Sequence, residues 1–264
     1  MKINVKGVPE TMIQTLYARA KETSKENPKI KDEMAVSIVK QLDYDFSQAD
    51  QDKTMRSGVI ARTIVLDKMV KEYLDKHKNT IVLNIACGLD TRCYRMKGKY
   101  IRWYNLDLPE TMNIRKQFLP ETGPIHQIAK SAMDETYTNT IHNEGEDVLV
   151  IIEGLTMYLT QIDIKKIFSI IEHTFSNVTI MVEVMSPFMV KHIKEKSIEG
   201  SRAKFTWGIK NGKELEKLIP SFSFLKEVSL VEEMKQLMPI YHVLGKIPFV
   251  SHVSNKIIVL EKHI

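Results

Sequence analysis

The sequence predicts an α/β chain: a doubly wound, mostly parallel seven-stranded sheet with an antiparallel edge strand and an N-terminal helical cap. Three observations carry this. Seven short strand-like runs recur at 81–85, 101–106, 126–129, 148–152, 178–184, 222–230 and 254–260. Val148-Leu-Val-Ile-Ile152 is apolar at every position, as in a parallel strand covered on both faces. Between it and Val178–Val184 lies a helical repeat of Ile164, Ile167, Phe168, Ile171 and Phe175, which makes a strand–helix–strand unit.

The remaining elements follow in order. Residues 11–22 read as a short helix capped by Thr11, with Met12, Leu16 and Ala20 as its stripe. Asp32 caps a second helix over 32–42, with Ala35, Val39 and Leu42 on one face. A third runs from about Ser57 to His77, presenting Val59, Leu66, Val70 and Tyr73. Thr160 and Asp163 have capping-box spacing before the 161–175 helix. Residues 187–220 break the alternation with aromatic, basic and glycine content. The last two strands have no long helix between them, which predicts the antiparallel edge.

Composition narrows the function. Lys and Arg number 38 against 33 Asp and Glu, a net charge of +5 spread along the chain. Nucleic-acid binders concentrate such charge on one face or segment, so no nucleic-acid partner is expected. Two cysteines, Cys87 and Cys93, without CxxC or zinc-type spacing, point to a reducing cytoplasm, and no metal site is expected among the eight histidines. The N-terminus lacks a signal-peptide apolar core, and no apolar run approaches the ~20 residues of a membrane span.

Chemistry concentrates at NIACGLDTR, residues 84–92. The first strand ends in Ala86-Cys87-Gly88, and a helix is expected to begin near Asp90. In open α/β sheets ligands bind beyond the carboxyl ends of the strands, and glycine lets backbone approach them closely. Asp107 ends the next strand, 19 residues after Gly88, at the spacing of an acid that accepts hydrogen bonds from ribose hydroxyls. A dinucleotide fingerprint would need glycines where Ala86 and Thr91 stand, and Asp90 places negative charge where a pyrophosphate would sit. A sulfonium cofactor reverses that electrostatic argument. S-adenosylmethionine is therefore favoured over NAD, with a bare strand-to-helix turn as the alternative.

GLDTR, WYNLDLPE (103–110) and EGLTMYL (153–159) together resemble the leucine carboxyl methyltransferase-like family of class I S-adenosylmethionine-dependent methyltransferases, in its bacterial polyketide O-methyltransferase branch of the tetracenomycin type. The resemblance spans about Thr15 to Pro187 and implies a Rossmann-like fold. It also implies roles. Gly88 would pass the methionine part of the cofactor, Asp107 would bind the ribose, and Met133 and Asp134 would sit beside the adenine. Glu153 would line the pocket, and Arg62 would reach the cofactor carboxylate. Arg19 or Lys21 would be the basic residue of the N-terminal segment. The family usually has glycine where this chain has Ala86, which implies a slightly shifted loop. Residues 1–264 would form one methyltransferase domain: helical cap and first helix (1–79), cofactor-binding core (80–186), acceptor-side insertion (187–221) and closing strands (222–264).

Simpler readings stand beside these. Arg62 as a surface residue, Asp134 as a helix cap and Glu153 as the partner of a lysine are each open. Tyr158, Phe188, His192 and Trp207 are candidate substrate contacts, with core packing as the rival for Tyr158 and Trp207. Phe205 adds flat apolar surface, and Lys191, His192, Lys194, Lys196, Arg202 and Lys204 would attract an acidic acceptor or form a solvated face. The sequence offers no His–Asp pair, so no catalytic base is assigned. The expected activity is O-methylation of a small-molecule carboxylate or hydroxyl. The alternatives are methylation of a protein C-terminal carboxylate, a non-catalytic S-adenosylmethionine-binding regulatory module, and an NAD-dependent oxidoreductase.

Overall fold

The structure, a computed structural model, describes residues 3–4, 10–192 and 204–262. In chain order its elements are β1 (Ile3–Asn4), α1 (Glu10–Thr23), α2 (Glu33–Gln41), β2 (Leu42–Asp43), α3 (Ser47–Gln51), α4 (Lys53–Lys76), β3 (Thr80–Ile85), α5 (Arg92–Arg95), β4 (Arg102–Asp107), α6 (Pro109–Phe118) and β5 (Ile125–Ala129). There follow β6 (Asp147–Ile152), α7 (Gln161–Thr174), β7 (Val178–Val184), α8 (Pro187–His192), α9 (Gly212–Leu218), β8 (Ser223–Ser229), α10 (Val231–Leu237), α11 (Tyr241–Leu244), α12 (Pro248–Val253) and β9 (Lys256–Lys262).

Seven strands form one sheet in the order β5-β4-β3-β6-β7-β9-β8. β3 to β7 are mutually parallel, and β9 runs antiparallel to both β7 and β8, which builds the expected antiparallel edge. The winding leaves β3 outward to β5 on one side and through β6 and β7 on the other. The carboxyl ends of β3, β4, β6 and β7 therefore meet where the winding reverses, the place where such sheets take ligands.

Both faces are covered, so the inner strands are buried almost along their whole length, and β6 is apolar from Val148 to Ile152. On one face Ile164, Ile167, Phe168 and Ile171 of α7 pack against Ile85, Leu106, Ile128, Ile152 and Val182. On the other Val65, Leu66, Met69 and Val70 of α4 pack against Val82, Leu149, Ile151, Met181 and Val259. Each such fully buried aliphatic side chain contributes about 1.5–3 kcal/mol. The Thr160–Asp163 capping box forms as the spacing predicts, and Asp32 accepts from the Ala35 N–H at the start of α2.

The structure corrects two helix starts. α1 begins at Glu10, which places Thr11 inside the first turn instead of at its cap. The helix expected near Asp90 is only the four residues of α5, because the Asp90 carboxylate accepts from the Arg92 N–H and turns the chain before the helix starts. The N-terminal cap sits over this loop. Met12, Leu16, Ala35 and Ile38 of α1 and α2 pack with Leu89, which follows Gly88 directly.

Candidate active site

Strand register builds the site. Ile85, Leu106, Ile128, Ile152 and Val182 are aligned across five parallel strands. The next position on each strand is Ala86, Asp107, Ala129, Glu153 and Glu183. Side chains alternate along a strand, so Glu183 faces the α4 side, where Arg62 meets both it and Glu153, whereas Ala86, past the end of β3, packs against the α7-side core. Three carboxylates thus stand on one line at the carboxyl edge.

Gly88 occupies a left-handed backbone conformation, φ +47°, and an added Cβ would meet Met12 Cγ at 3.1 Å. Its N–H donates to Asp107 Oδ2 at 2.7 Å, and the Leu108 N–H donates to Oδ1, also at 2.7 Å. The Thr111 side chain also interacts with this carboxylate, and an ionised carboxylate has about four acceptor positions, so acceptor capacity is left for a ligand. Burial pushes the Asp107 carboxyl up, against those two backbone hydrogen bonds.

Arg62 is no surface residue. Its Nε lies 2.7 Å from Glu153 Oε1, an ion pair without hydrogen-bond alignment, and its Nη1 donates to Glu183 Oε2 at 3.0 Å. Burial would lower its pKa, but Glu183 and Glu153 outweigh burial and raise it. Glu153 accepts on its other oxygen from Arg92 Nη2 at 2.9 Å, so its partners are arginines, not a lysine. Burial tends to raise the Glu153 carboxyl, and Arg92 and Arg62 reverse this and hold it low.

Behind this row lies an ionic network that the sequence reading missed. Arg92, 1% exposed, donates to Asp67 (2.6 Å), Asp90 (2.8 Å) and Glu153. Arg95 forks onto Asp67 at 2.8 and 2.9 Å and reaches Asp32 at 3.2 Å. Arg19 of α1 donates to Asp32 at 2.9 Å and to the Leu89 carbonyl at 2.8 Å. Arg115 of α6 donates to the Gly88 and Asp90 carbonyls, each at 2.8 Å. Arg19, not Lys21, is therefore the N-terminal basic residue tied to the loop; Lys21 pairs with Asp50 on the surface. Asp90 carries the negative charge that the sequence reading placed there, with arginines around it. Arg92 and Arg95 outweigh the effect of burial and hold its carboxyl below the ordinary range. The signal for this network was in the sequence, since GLDTRCYR places Asp90, Arg92 and Arg95 within six residues.

Ala86 also has a left-handed backbone, φ +54°. The loop keeps the conformation that a glycine would adopt freely, at a cost of about 1–2 kcal/mol for a side chain. Glycine recovers that strain less about 0.5–1 kcal/mol of backbone entropy. Ala86→Gly is expected to raise thermal stability slightly and to leave cofactor affinity within about twofold. A melting temperature several degrees below the parent's would contradict the strain argument.

The other candidates are dispersed. Asp134 is exposed and caps the turn at Glu135–Thr140, accepting from the Thr136 N–H (3.0 Å) and hydroxyl (2.7 Å), which hold its carboxyl low. Met133 is half-buried against the α7-side core. Asp107 pairs with Ala129, so residues 130–134 leave the sheet beside Asp107. Tyr158 lies in the turn Thr156–Tyr158 with its ring 5.4 Å from Phe205, and it contributes electrostatically to Arg62. Phe188 stacks on His192 and meets Phe249 edge-on, and the His192 ring contacts the Phe188 carbonyl. Trp207 is 8% exposed and packs in the α7-side core, because the Thr206 N–H donates to the Met157 carbonyl and draws this segment inward. Its core alternative is the one the structure displays. Lys194, Lys196 and Arg202 lie outside the described residues. Among the described residues, no three His, Cys, Asp or Glu side chains form a metal cluster. Burial raises both thiols, Cys93 to about 11, so neither supplies a thiolate near neutral pH.

A family model described as leucine carboxyl methyltransferase matches residues 12–172. The chain belongs to that family. The methyltransferase is 30% identical over 233 residues to the tetracenomycin polyketide synthesis O-methyltransferase TcmP of Streptomyces glaucescens, covering 87% of this chain and 86% of the relative. It is 26% identical over 259 residues to the S-adenosyl-L-methionine-dependent methyltransferase dpfgK of Gibberella zeae, covering 89% and 87%. In fold it is similar to an S-adenosylmethionine-dependent methyltransferase from Clostridium acetobutylicum, at a TM-score of 0.52 and 11% identity over 82% of this chain and 97% of that one. The protein is an S-adenosylmethionine-dependent methyltransferase with the class I, Rossmann-like fold, and the nicotinamide reading is overturned.

The residues present suit this cofactor. Six carboxylates (Asp32, Asp67, Asp90, Asp107, Glu153, Glu183) accompany five guanidinium groups (Arg19, Arg62, Arg92, Arg95, Arg115). The surplus negative charge fits a ligand with a sulfonium, an ammonium and one carboxylate, and opposes a pyrophosphate. Among the described residues no helix is long and apolar enough to cross a membrane.

Proposed function

We propose that this methyltransferase methylates an oxygen, carboxylate or hydroxyl, of a small-molecule acceptor. The observation that carries the reading is the match, over most of both chains, to a relative named as a polyketide O-methyltransferase. In this proposal Asp107 accepts from the ribose hydroxyls, Gly88 lies along the methionine portion, and Met133 with Asp134 borders the adenine. Glu153 receives the ammonium group and Arg62 the carboxylate, for which a guanidinium fork is suited.

The cofactor supplies an electrophilic methyl group on a sulfonium that leaves as a neutral thioether. The chain's own task is alignment, and holding the reacting atoms in line accounts for much of the acceleration. Tyr158, close enough to Arg62 to act on it electrostatically, and Phe205, whose ring lies 5.4 Å from that of Tyr158, would offer an aromatic surface on which an apolar acceptor body stacks and excludes water. Phe188 and His192 would be further acceptor contacts, and Trp207 would support the neighbouring Phe205 from the core. An acceptor carboxylate is ionised near neutral pH and needs no base, whereas a phenol, with pKa about 10, gains from one.

A second reading, methylation of a protein C-terminal carboxylate, draws on the description of the matched family. A panel of aromatic acids, phenols and peptides with free or amidated C-termini, incubated with S-adenosylmethionine and assayed for S-adenosylhomocysteine, separates the readings. Turnover confined to small acids or phenols is expected. Turnover of free-carboxylate peptides alone would replace this reading with the second. Tight binding without turnover across the panel would favour a regulatory module.

A further inference from the structure

Glu183 is the third carboxylate of the strand-end row, and no cofactor contact has been assigned to it. It is 1% exposed at the end of a strand whose every residue is buried. Removing a carboxylate from water is costly unless several partners compensate. Its partners come from three separate segments. Oε2 accepts from Arg62 Nη1 of α4 at 3.0 Å and from the Gly154 N–H at 2.8 Å. Oε1 accepts from Asn255 Nδ2, in the segment leading into β9, at 3.4 Å. Gly154 has φ +65°, a left-handed backbone that glycine adopts freely and that turns its N–H toward Glu183 beside the Arg62 guanidinium.

Glu183 therefore grips two things at once: the guanidinium that pairs with Glu153, and the peptide N–H immediately after Glu153. A rotation of either would move the Glu153 carboxylate. Charge points the same way. The six carboxylates of this region exceed its five guanidinium groups by one, and neutralising Glu183 removes that surplus. Its loss would weaken the attraction for a positively charged ligand and leave a neutral one comparatively unaffected.

We propose that Glu183 is a positioning residue for the cofactor site: it fixes Arg62 and the 153–154 peptide, and its charge sets the preference for the sulfonium cofactor over the uncharged thioether product. The proposal rests on the cofactor placement above. It works through Arg62 and Glu153 and requires no contact between Glu183 and the cofactor.

The test is calorimetric binding of S-adenosylmethionine and S-adenosylhomocysteine to the full chain and to Glu183→Gln, which keeps shape and removes charge. Glu183→Gln is expected to weaken S-adenosylmethionine about tenfold and S-adenosylhomocysteine about threefold or less, shifting the ratio of the two dissociation constants. One unit charge across partly screened protein separations is of that order. A loosened fold would weaken both ligands alike, so an unchanged ratio overturns the proposal even if both affinities fall. In a double-mutant cycle with Arg62→Lys the two changes are expected to be non-additive, and additivity would remove the link through Arg62. Should Glu183→Gln fail to fold, Asn255→Ala keeps the buried charge and removes one anchor. Because the charge is kept there, both affinities are expected to fall with their ratio unchanged, and undiminished affinity for both ligands overturns the positioning role. Failure of the unaltered chain to bind either ligand would overturn the cofactor placement and this inference together. Normal binding with an unshifted ratio in Glu183→Gln would overturn this inference alone.

Discussion

Arg92→Leu is expected to destabilise the protein by about 3–5 kcal/mol, the usual penalty for removing one partner from a buried ionic cluster. Its guanidinium reaches Asp67, Asp90 and Glu153, and leucine leaves all three carboxylates short of a cation in a region with little water. Arg95 still holds Asp67 but lies 3.7 Å from Asp90 and is not paired with Glu153, so it does not compensate. For a chain of this size the loss corresponds to roughly 10 °C in melting temperature. Arg92→Lys should recover only part of it, because one ammonium group cannot span three carboxylates. Urea denaturation measures the effect, and a midpoint matching the parent's would show that the network contributes nothing to stability.

The same cluster gives the protein an acid limit. Asp90, Glu153 and Asp32 are held below their ordinary values, because nearby arginines outweigh burial. Carboxylates depressed in the folded state contribute stability that is complete above their unfolded pKa, about 4, and lost as pH falls through the lower folded values. Stability should therefore decline as pH falls below about 4. The decline should be shallower in Arg92→Leu, where the depression of Asp90 and Glu153 is smaller. Parallel pH curves for the two proteins would contradict this.

Asp107→Ala is expected to weaken cofactor binding about 100-fold, the loss of one or two hydrogen bonds to a charged acceptor at about 1.5–3 kcal/mol each. Asp107 also anchors the Gly88 N–H, so part of the loss would come from a loosened loop. Asp107→Asn separates the two, since its amide oxygen can still accept from one backbone N–H while the negative charge is gone. Asp134→Ala serves as the exposed control, with about a threefold loss expected from a single water-accessible contact. Calorimetry with S-adenosylhomocysteine reads all three, and undiminished affinity in a folded Asp107→Ala variant would remove its ribose role. Burial raises the Asp107 carboxyl, so affinity should begin to fall with decreasing pH above the ordinary aspartate range.

How much of this was legible in the sequence differs by residue. The strand at 148–152 declared itself because burial on both faces demands apolar side chains throughout, and α7 because its stripe and capping box are local patterns. Asp107 and Glu153 were readable as acids that end apolar strands. Glu183 offered the same signal in VTIMVEV and was passed over, since one residue follows it before the strand ends. Asp90 was read with the correct charge but without its arginine partners, because a local spacing argument counts the acid and cannot see which cations reach it. Trp207 was a candidate for the acceptor surface, and its burial arises from packing against the distant turn at Thr156–Tyr158.

By itself, then, the sequence determined the doubly wound order of strands and helices, the loop around Gly88, the family, and the acids at two strand ends. All of these depend on residues close together in the chain, where periodicity and turn chemistry act. Only the tertiary structure decided that Glu183 joins Asp107 and Glu153 in one row, that Arg62 faces inward, and that Arg19, Arg92, Arg95 and Arg115 neutralise the loop. Register between strands and the reach of long guanidinium side chains set those pairings. Arg62 meets a carboxylate 121 residues away because α4 packs across the strand ends, and that approach exists only once the sheet has formed.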